Sequence, residues 1–348
     1  MSLHRALVII VAAGLLMAPA VAQDQHVLRV KYAAGERCVT KITFTGLGTL
    51  TVDFPGGPAQ PSDLWVSGRL DLIEEAKSVD DRGVAEVEWR LGSMEAEFQF
   101  MGWQGNVTIE DGHLQATIND QVVLDSLDPE QAKEYPMFSL IGQGFIVKVD
   151  RTGKIVGAPQ IKLLLSLMMP DADLKGAMEQ STGPMPPGPV AVGDTWEERQ
   201  VWPYGVPEGM ERPVFVTRHT FEALETVGGH QCAKIATASA IDLKDARLEL
   251  PKFMLGPLPG GMDPLRLTVN AMAKDVTGTH YFDIERGTPL RWDASATVNL
   301  DLTEILDVPN QQGQDATAAP PDADEPQGME LGIKIEDLVI DIALEVEA

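Results

Sequence analysis

The histidines are the first residues to consider for catalysis or metal binding. Five of them follow residue 22, at positions His26, His113, His219, His230 and His280. None is spaced i, i+4 on a helical pattern or stands near a cysteine at zinc-finger spacing, so we expect no metal site. His219 and His280 lie in strand-like segments and could meet if those strands are close. Histidines in strands are more often structural, and we expect that role here.

Motifs for a nucleophile or a phosphate are missing as well. The chain contains no Gly-x-Ser-x-Gly elbow and no Ser-x-x-Lys pair, which excludes hydrolases of those designs. The pairs Gly46-Leu-Gly48 and Gly142-Gln-Gly144 lack the residues that complete a phosphate loop. We therefore expect no catalytic residues, no metal and no cofactor. A hydrolase with dispersed carboxylates stays an alternative, because the separation of two acids depends on the tertiary structure.

The first 22 residues have the features of a leader for export. Arg5 precedes an apolar run from Ala6 to Met17, and Ala20–Ala22 matches the small-residue signal of a cleavage site. The run is too short to span a bilayer once Pro19 interrupts it. We predict a signal peptide over residues 1–22, a periplasmic or extracellular location, and no transmembrane segment in the mature chain.

Charge and cysteine content limit the partners and the redox chemistry. The chain has 52 acidic and 27 basic residues, a net charge of −25. It lacks the excess of positive charge that binding to nucleic acid or to an anionic membrane requires, so we expect neither as a partner. The two cysteines, Cys38 and Cys232, could form one disulfide in an oxidising compartment. Two buried thiols are an equal alternative.

Alternation of apolar and polar residues with a period of two predicts the positions of the strands. The stretch Leu290–Leu302 alternates without interruption. The stretch beginning at Ala85 changes parity at Gly92-Ser93, and the stretch Leu331–Val346 changes parity at Glu336-Asp337, which predicts β-bulges. Strands with one polar and one apolar face are typical of an antiparallel sheet.

Turn signals support this assignment. An aspartate stands shortly before a glycine at four strand junctions, where the carboxylate can bond the turn backbone and the glycine can adopt a positive φ. These junctions are Asp80–Gly83, Asp111–Gly112, Asp150–Gly153 and Asp283–Gly287.

Few helices are expected. One begins at the N-cap Asp128 and ends at Tyr135. A second, Ile161–Met169, is apolar on nearly every side and continues over Asp171–Gln180. The predicted fold class is mainly β: a strongly curved antiparallel sheet, or half-barrel, with one or two helices packed on its concave side. The alternative is a two-sheet β-sandwich.

The domain organisation follows from two loop-like tracts. We predict one mainly-β domain over residues 23–348, with two related halves, 23–182 and 189–348, as a variant of this organisation. The Pro-rich loop Gly183–Pro189 would separate the halves. The tract Asp307–Gly328 is acidic and Pro-rich and is expected to be a disordered insertion.

Two short motifs resemble a family of exported bacterial proteins of unknown function. These motifs are the stretch Pro189–Glu197, which contains Gly193-Asp194-Thr195-Trp196, and the turn Phe282–Gly287. That family is similar to the periplasmic lipoprotein-carrier superfamily of the LolA and LppX types. The resemblance implies an incomplete β-barrel around an apolar cavity plugged by helices, and it implies no catalytic residues.

We expect a non-catalytic exported protein that binds a lipid, a lipoprotein or another apolar ligand in the cell envelope. The alternative is a protein–protein interaction or scaffold module of the envelope. Small inner-face residues at Ala271, Ala273, Ala294 and Ala296 leave room for a ligand, or let a helix dock closely. The candidate ligand-binding residues are Leu164, Leu165, Met168, Phe253, Met254, Leu255, Leu258 and Met262.

Overall fold

The computed structural model of the chain describes residues 24–53, 58–135, 138–139, 141–158, 174–202, 212–250, 265–306 and 329–347. The first strands are β1 (Arg37–Asp53), β2 (Gln60–Val79), β3 (Ala85–Phe100), β4 (Trp103–Glu110), β5 (His113–Ile118) and β6 (Gln121–Asp125). Helix α1 (Pro129–Glu134), β7 (Phe145–Val149), β8 (Ile155–Gly157) and helix α2 (Leu174–Gln180) follow. The last strands are β9 (Thr195–Val201), β10 (Val214–Val227), β11 (His230–Leu250), β12 (Leu265–Asp283), β13 (Thr288–Leu306) and β14 (Met329–Glu347).

These strands form one open, curved antiparallel sheet, which confirms the mainly-β fold class. Its order is β6-β5-β4-β3-β2-β1-β14-β13-β12-β11-β10-β9, and β7 pairs with the first part of β3 and with β8. The described strands belong to one sheet, so the two-sheet sandwich is not adopted. Each predicted half contributes one run of six sequential strands, and the runs meet where β1 pairs with β14. That the halves are related stays a prediction.

Strand register separates the two faces of the sheet. Phe44, Ile342, Ala294 and Gly278 lie opposite one another in a row across β1, β14, β13 and β12. We call the face that carries this row the inner face. The predicted inner-face alanines Ala271, Ala273, Ala294 and Ala296 all lie on the inner face. Each is opposite a residue of that face on a neighbouring strand.

The predicted bulges are present. The register between β2 and β3 shifts between Leu70 and Leu72, opposite Gly92-Ser93. The register of β14 with both neighbours shifts at Glu336-Asp337, where Asp337 has a φ of +49°. Each extra residue keeps the apolar side chains on the inner face after the change of parity.

The four predicted turns are present, and at Asp80, Asp150 and Asp283 the expected carboxylate hydrogen bonds form. The final glycines Gly83, Gly112, Gly153 and Gly287 all have φ between 72° and 80°. Asp80 Oδ1 accepts hydrogen bonds from the N–H groups of Arg82 and Val84. The carboxylates of Asp150 and Asp283 accept backbone hydrogen bonds in the same way.

The helix predicted from Asp128 is confirmed as α1. The Asp128 carboxylate accepts from the N–H groups of Glu130 and Gln131 at 2.8 and 3.4 Å, and Tyr135 is the C-cap. Helix α2 confirms the last part of the predicted stretch Asp171–Gln180. Within the described ranges, no helix is long and apolar enough to cross a membrane. The predicted leader 1–22, the helix Ile161–Met169 and the insertion Asp307–Gly328 lie outside those ranges.

The largest buried cluster lies at one end of the sheet, which we call the core end, where the turns Asp80–Gly83, Asp150–Gly153 and Asp283–Gly287 lie. A smaller buried cluster around Leu243 and Val269 lies toward the other end of β11 and β12. The N-terminal segment Asp24–Ala33 crosses the inner face at the core end. Its backbone donates from Val30 to Arg151 O and from Lys31 to Gly287 O, both at 2.9 Å. Leu28 of this segment packs into a cluster of buried residues on the sheet and its neighbouring loop. The other members of the cluster are Met185, Val190, Trp196, Phe221, Ala233, Ile235 and Phe282.

The Pro-rich loop Gly183–Pro189 packs into this core. Arg29 donates to the carbonyls of Pro186 and Pro187. Trp196 Nε1 donates to Pro184 O at 2.8 Å, and Met185 is buried. The proline rings fix the φ angles of the loop, and the Met185 side chain is buried. The loop is therefore a rigid surface on the inner face against which the N-terminal segment packs.

Candidate functional site

Beyond the core end, the inner face carries apolar side chains that are only half-buried. They come from the four central strands, where each alternates with an outward polar residue such as Thr43 or Asp341. These side chains are Ile42, Phe44, Leu70, Leu72, Ala294, Ala296, Val298, Ile340, Ile342 and Leu344. The sheet therefore offers an extended apolar surface whose packing is less dense than that of the core end.

A cavity of about 240 Å³ lies where this surface meets the core end. We call it the base cavity. The N-terminal segment, β1, β2, β3 and the β12–β13 turn line it. Its polar and charged lining residues include Lys31, Tyr32, Glu36, Cys38, Thr40, Glu74, Trp89, His280 and Arg286. Buried polar groups converging on a cavity are typical of ligand sites.

Glu74 is an acid on the apolar inner face. Its register partners are Cys38 on β1 and Trp89 on β3, and it stands between the inner-face residues Leu72 and Ala76 of β2. Burial raises the pKa of this carboxyl, and the nearby Trp89 indole N–H lowers it in part. Trp89 Nε1 is buried without a hydrogen bond of ordinary geometry. Among the described residues, no basic side chain forms an ion pair with Glu74.

The hydroxyl and thiol beside Glu74 are neutral. Burial, and then the charge of Glu74, raise the pKa of Tyr32 well above its usual range and the pKa of Cys38 to about 12. A thiolate is the nucleophilic form of cysteine, so Cys38 is not activated for covalent catalysis. Both groups can donate hydrogen bonds into the cavity.

Of the two alternatives for the cysteines, the structure has two thiols and no disulfide between them. Cys38 and Cys232 are both free, and Cys232 is buried. They belong to β1 and β11, and β14, β13 and β12 lie between these strands. Four steps of about 4.8 Å along the sheet exceed the roughly 7 Å that a disulfide can bridge between Cα atoms.

A second polar group continues from the cavity along the inner face. His219 Nε2 lies 3.2 Å from Glu198 Oε2, and the two side chains are only 4% and 13% exposed. The His219 ring stacks on Trp196, with centroids 5.3 Å apart. The His280 ring, on β12, lies 6.3 Å from that of His219. The two strand histidines therefore do meet in space.

The surroundings of His280 shift its pKa. Burial, followed by the charge of His219, lowers the pKa of His280 to about 4. Its ring packs on Trp292 with centroids 5.3 Å apart. No set of three His, Cys, Asp or Glu side chains within the described part of the chain could hold a metal ion.

Two larger depressions, of about 480 and 420 Å³, lie on the opposite face. Each is a furrow between two rows of side chains across four strands, with exposed polar residues such as Thr45 and Asp341 in the first. They lack the buried polar groups of the base cavity.

The sequence did not point to the base cavity. The predicted ligand-binding residues Leu164, Leu165, Met168, Phe253, Met254, Leu255, Leu258 and Met262 all lie outside the described residues. One local signal was available for Glu74, because Leu70, Leu72, Glu74 and Ala76 place an acid at a position where the alternation predicts an apolar residue.

No model of a known protein family matches this chain, and no curated protein sequence matches it. The resemblance to the lipoprotein-carrier superfamily therefore rests on the two short motifs alone.

Proposed function

We propose that this protein is a non-catalytic binding protein of the cell envelope that takes an apolar ligand of the lipid class on its inner face. The observation that carries the proposal is the continuity between the half-buried apolar face and the base cavity. A ligand there would bury apolar surface at about 25 cal/mol per Å². The unactivated thiol of Cys38 agrees with a binding role.

Binding to the inner face is tested with a fluorescent fatty-acid probe whose emission rises in an apolar environment. The variant Ile342→Thr places a polar group in the middle of the inner face. We expect it to weaken probe binding several-fold. The matched control is Val339→Thr, a similar change three residues away on β14, where the side chain is 43% exposed on the opposite face.

Equal probe affinities for wild type, Ile342→Thr and Val339→Thr would contradict binding on the inner face. Native mass spectrometry of protein purified from its own cell envelope supplies the second measurement. We expect a co-purifying lipid in the extract, and a ligand-free protein that also ignores the probe would overturn the proposal.

The envelope location is part of the same proposal and has its own test. It rests on the leader-like pattern before Gln23. N-terminal sequencing of the protein from the envelope fraction should begin at Gln23. An intact Met1 in that fraction would contradict a cleaved leader.

A further inference from the structure

Glu74 is the starting point for the chemistry of the ligand. The inner-face positions of β2 that precede and follow it carry no other charge. These positions are Leu64, Val66, Gly68, Leu70, Leu72 and Ala76. A carboxyl group on such a surface costs free energy unless a cation or hydrogen-bond donors compensate it.

Two basic residues, Lys31 and Arg286, also line the base cavity, but neither forms an ion pair with Glu74 among the described residues. Lys31 Nζ is engaged with the carbonyls of Ile284 and Glu285, at 3.3 and 2.7 Å. The positive charge of Arg286 lowers the pKa of the Cys38 thiol. Burial, Glu74 and Glu36 raise that pKa, and their combined effect is larger. Burial and the Trp89 indole are the causes that shift the pKa of Glu74, and no basic residue is among them.

The rest of the lining also suits a cation. Trp89 and Tyr32 are aromatic residues of the cavity lining, and the face of an aromatic ring attracts an ammonium group. At about 30 Å³ for each water, a volume of about 240 Å³ corresponds to roughly eight waters. That space accommodates an ammonium group and the first methylenes of an alkyl chain.

We propose that the base cavity binds the ammonium end of an amphiphile, with Glu74 as its counter-charge and the alkyl chain lying on the inner face. This inference rests on the proposed function and names the ligand class of that same surface: an alkylamine or a lipid with a primary amine. Leu72 on β2 and its neighbours on β1 and β14 continue from the cavity and would contact the chain.

The alternative head groups fit less well. A carboxylate or phosphate would approach Glu74 and Glu36, and like charges at short range in a site of low dielectric repel strongly. An alcohol would leave the buried carboxyl without a counter-charge. Of these head groups, only the ammonium group supplies a counter-charge to Glu74.

The experiment uses the full chain and three probes that share one tail: decylammonium, decanol and decanoate, each below its micellar concentration. Affinities are measured by isothermal titration calorimetry at mildly alkaline pH for wild type, Glu74→Gln and Glu75→Gln. Glu75 is the matched control, because it adjoins Glu74 in the chain, points to the opposite face and pairs with Lys77 at 2.7 Å.

We expect wild type to bind decylammonium at least tenfold more tightly than decanol or decanoate. Glu74→Gln should lose that preference and keep the affinity for decanol. Glu75→Gln should behave as wild type. The unfolding temperature of Glu74→Gln should equal or exceed that of wild type, because the variant removes a buried acid without a counter-charge. A lower unfolding temperature would therefore reveal a misfolded variant.

The failures are distinguishable. If the three probes bind equally and Glu74→Gln changes nothing, the ammonium site is wrong and the apolar-ligand function stands. If Glu75→Gln also loses the preference, the preference comes from the overall negative charge and the site is again wrong. If no probe binds, both proposals are overturned.

Discussion

Phe44 on β1 lies directly opposite Gly68 on β2, and its ring covers the glycine on the inner face. A Cβ atom at Gly68 would lie 2.5 Å from Phe44 Cζ and 2.7 Å from the backbone oxygen of Glu95. Phe98 covers Gly105 in the same manner between β3 and β4. A glycine within a strand weakens that strand, but these two glycines leave the space that an aromatic ring of the neighbouring strand occupies.

The first prediction concerns that contact. Gly68→Ala should destabilise the protein by about 1–3 kcal/mol, the usual cost of overpacking, because the new methyl group meets backbone as well as a ring. Chemical denaturation measures the change. Gly188→Ala is the control, since a Cβ there meets no atom within 4 Å. Similar stabilities for both variants would contradict the close contact.

The second prediction tests the N-terminal segment. Leu28 is fully buried in the core beneath it, whereas Val27 is 52% exposed. Leu28→Ala should reduce the free energy of unfolding by about 2–5 kcal/mol. Val27→Ala should change it by less than about 0.5 kcal/mol. The segment would not be part of the core if urea denaturation found the two variants equally stable.

The third prediction follows from His280. Its pKa is about 4 in the folded protein and 6.5 ordinarily, so the unfolded state binds more protons between these values. Stability should therefore rise with pH over this window, and up to about 3 kcal/mol should be lost on acidification from above pH 6.5 to below pH 4.

The variant His280→Gln removes this titration. Thermal unfolding at several pH values should show a flatter profile between pH 4 and 6.5 for the variant than for wild type. Glu198 and His219 face His280 and are present in both proteins, so the difference between the two profiles isolates His280. Parallel profiles would show that His280 keeps its ordinary pKa.

The fourth prediction concerns the cysteines. Protein denatured without reductant should react at both thiols, and the native protein should react slowly, because Cys232 is buried and the pKa of Cys38 is about 12. Mass spectrometry after alkylation counts the labels. A peptide pair linking Cys38 to Cys232 would show that the bridge forms after all. Cys38→Ser should lose one label and keep the fold.

The sequence by itself determined the local elements. Alternation of period two located the strands and their inner-face residues, including Trp292 and Ala294 on β13. The parity changes at Gly92-Ser93 and Glu336-Asp337 located the bulges. The capping residue Asp128 located α1. These features depend on neighbouring residues and on backbone geometry, which sequence patterns report directly.

Only the tertiary structure decided which distant segments meet. The pairing of β1 with β14 joins the two ends of the chain, and no local pattern encodes it. The Pro-rich loop became part of the core because Arg29 of the N-terminal segment and Trp196 of β9 both donate hydrogen bonds to its carbonyls. Glu74 and His280 line one cavity although 205 intervening residues separate them in the sequence. Period-two alternation assigns each strand a face, but the choice of partners depends on how all the strands bury their apolar faces together.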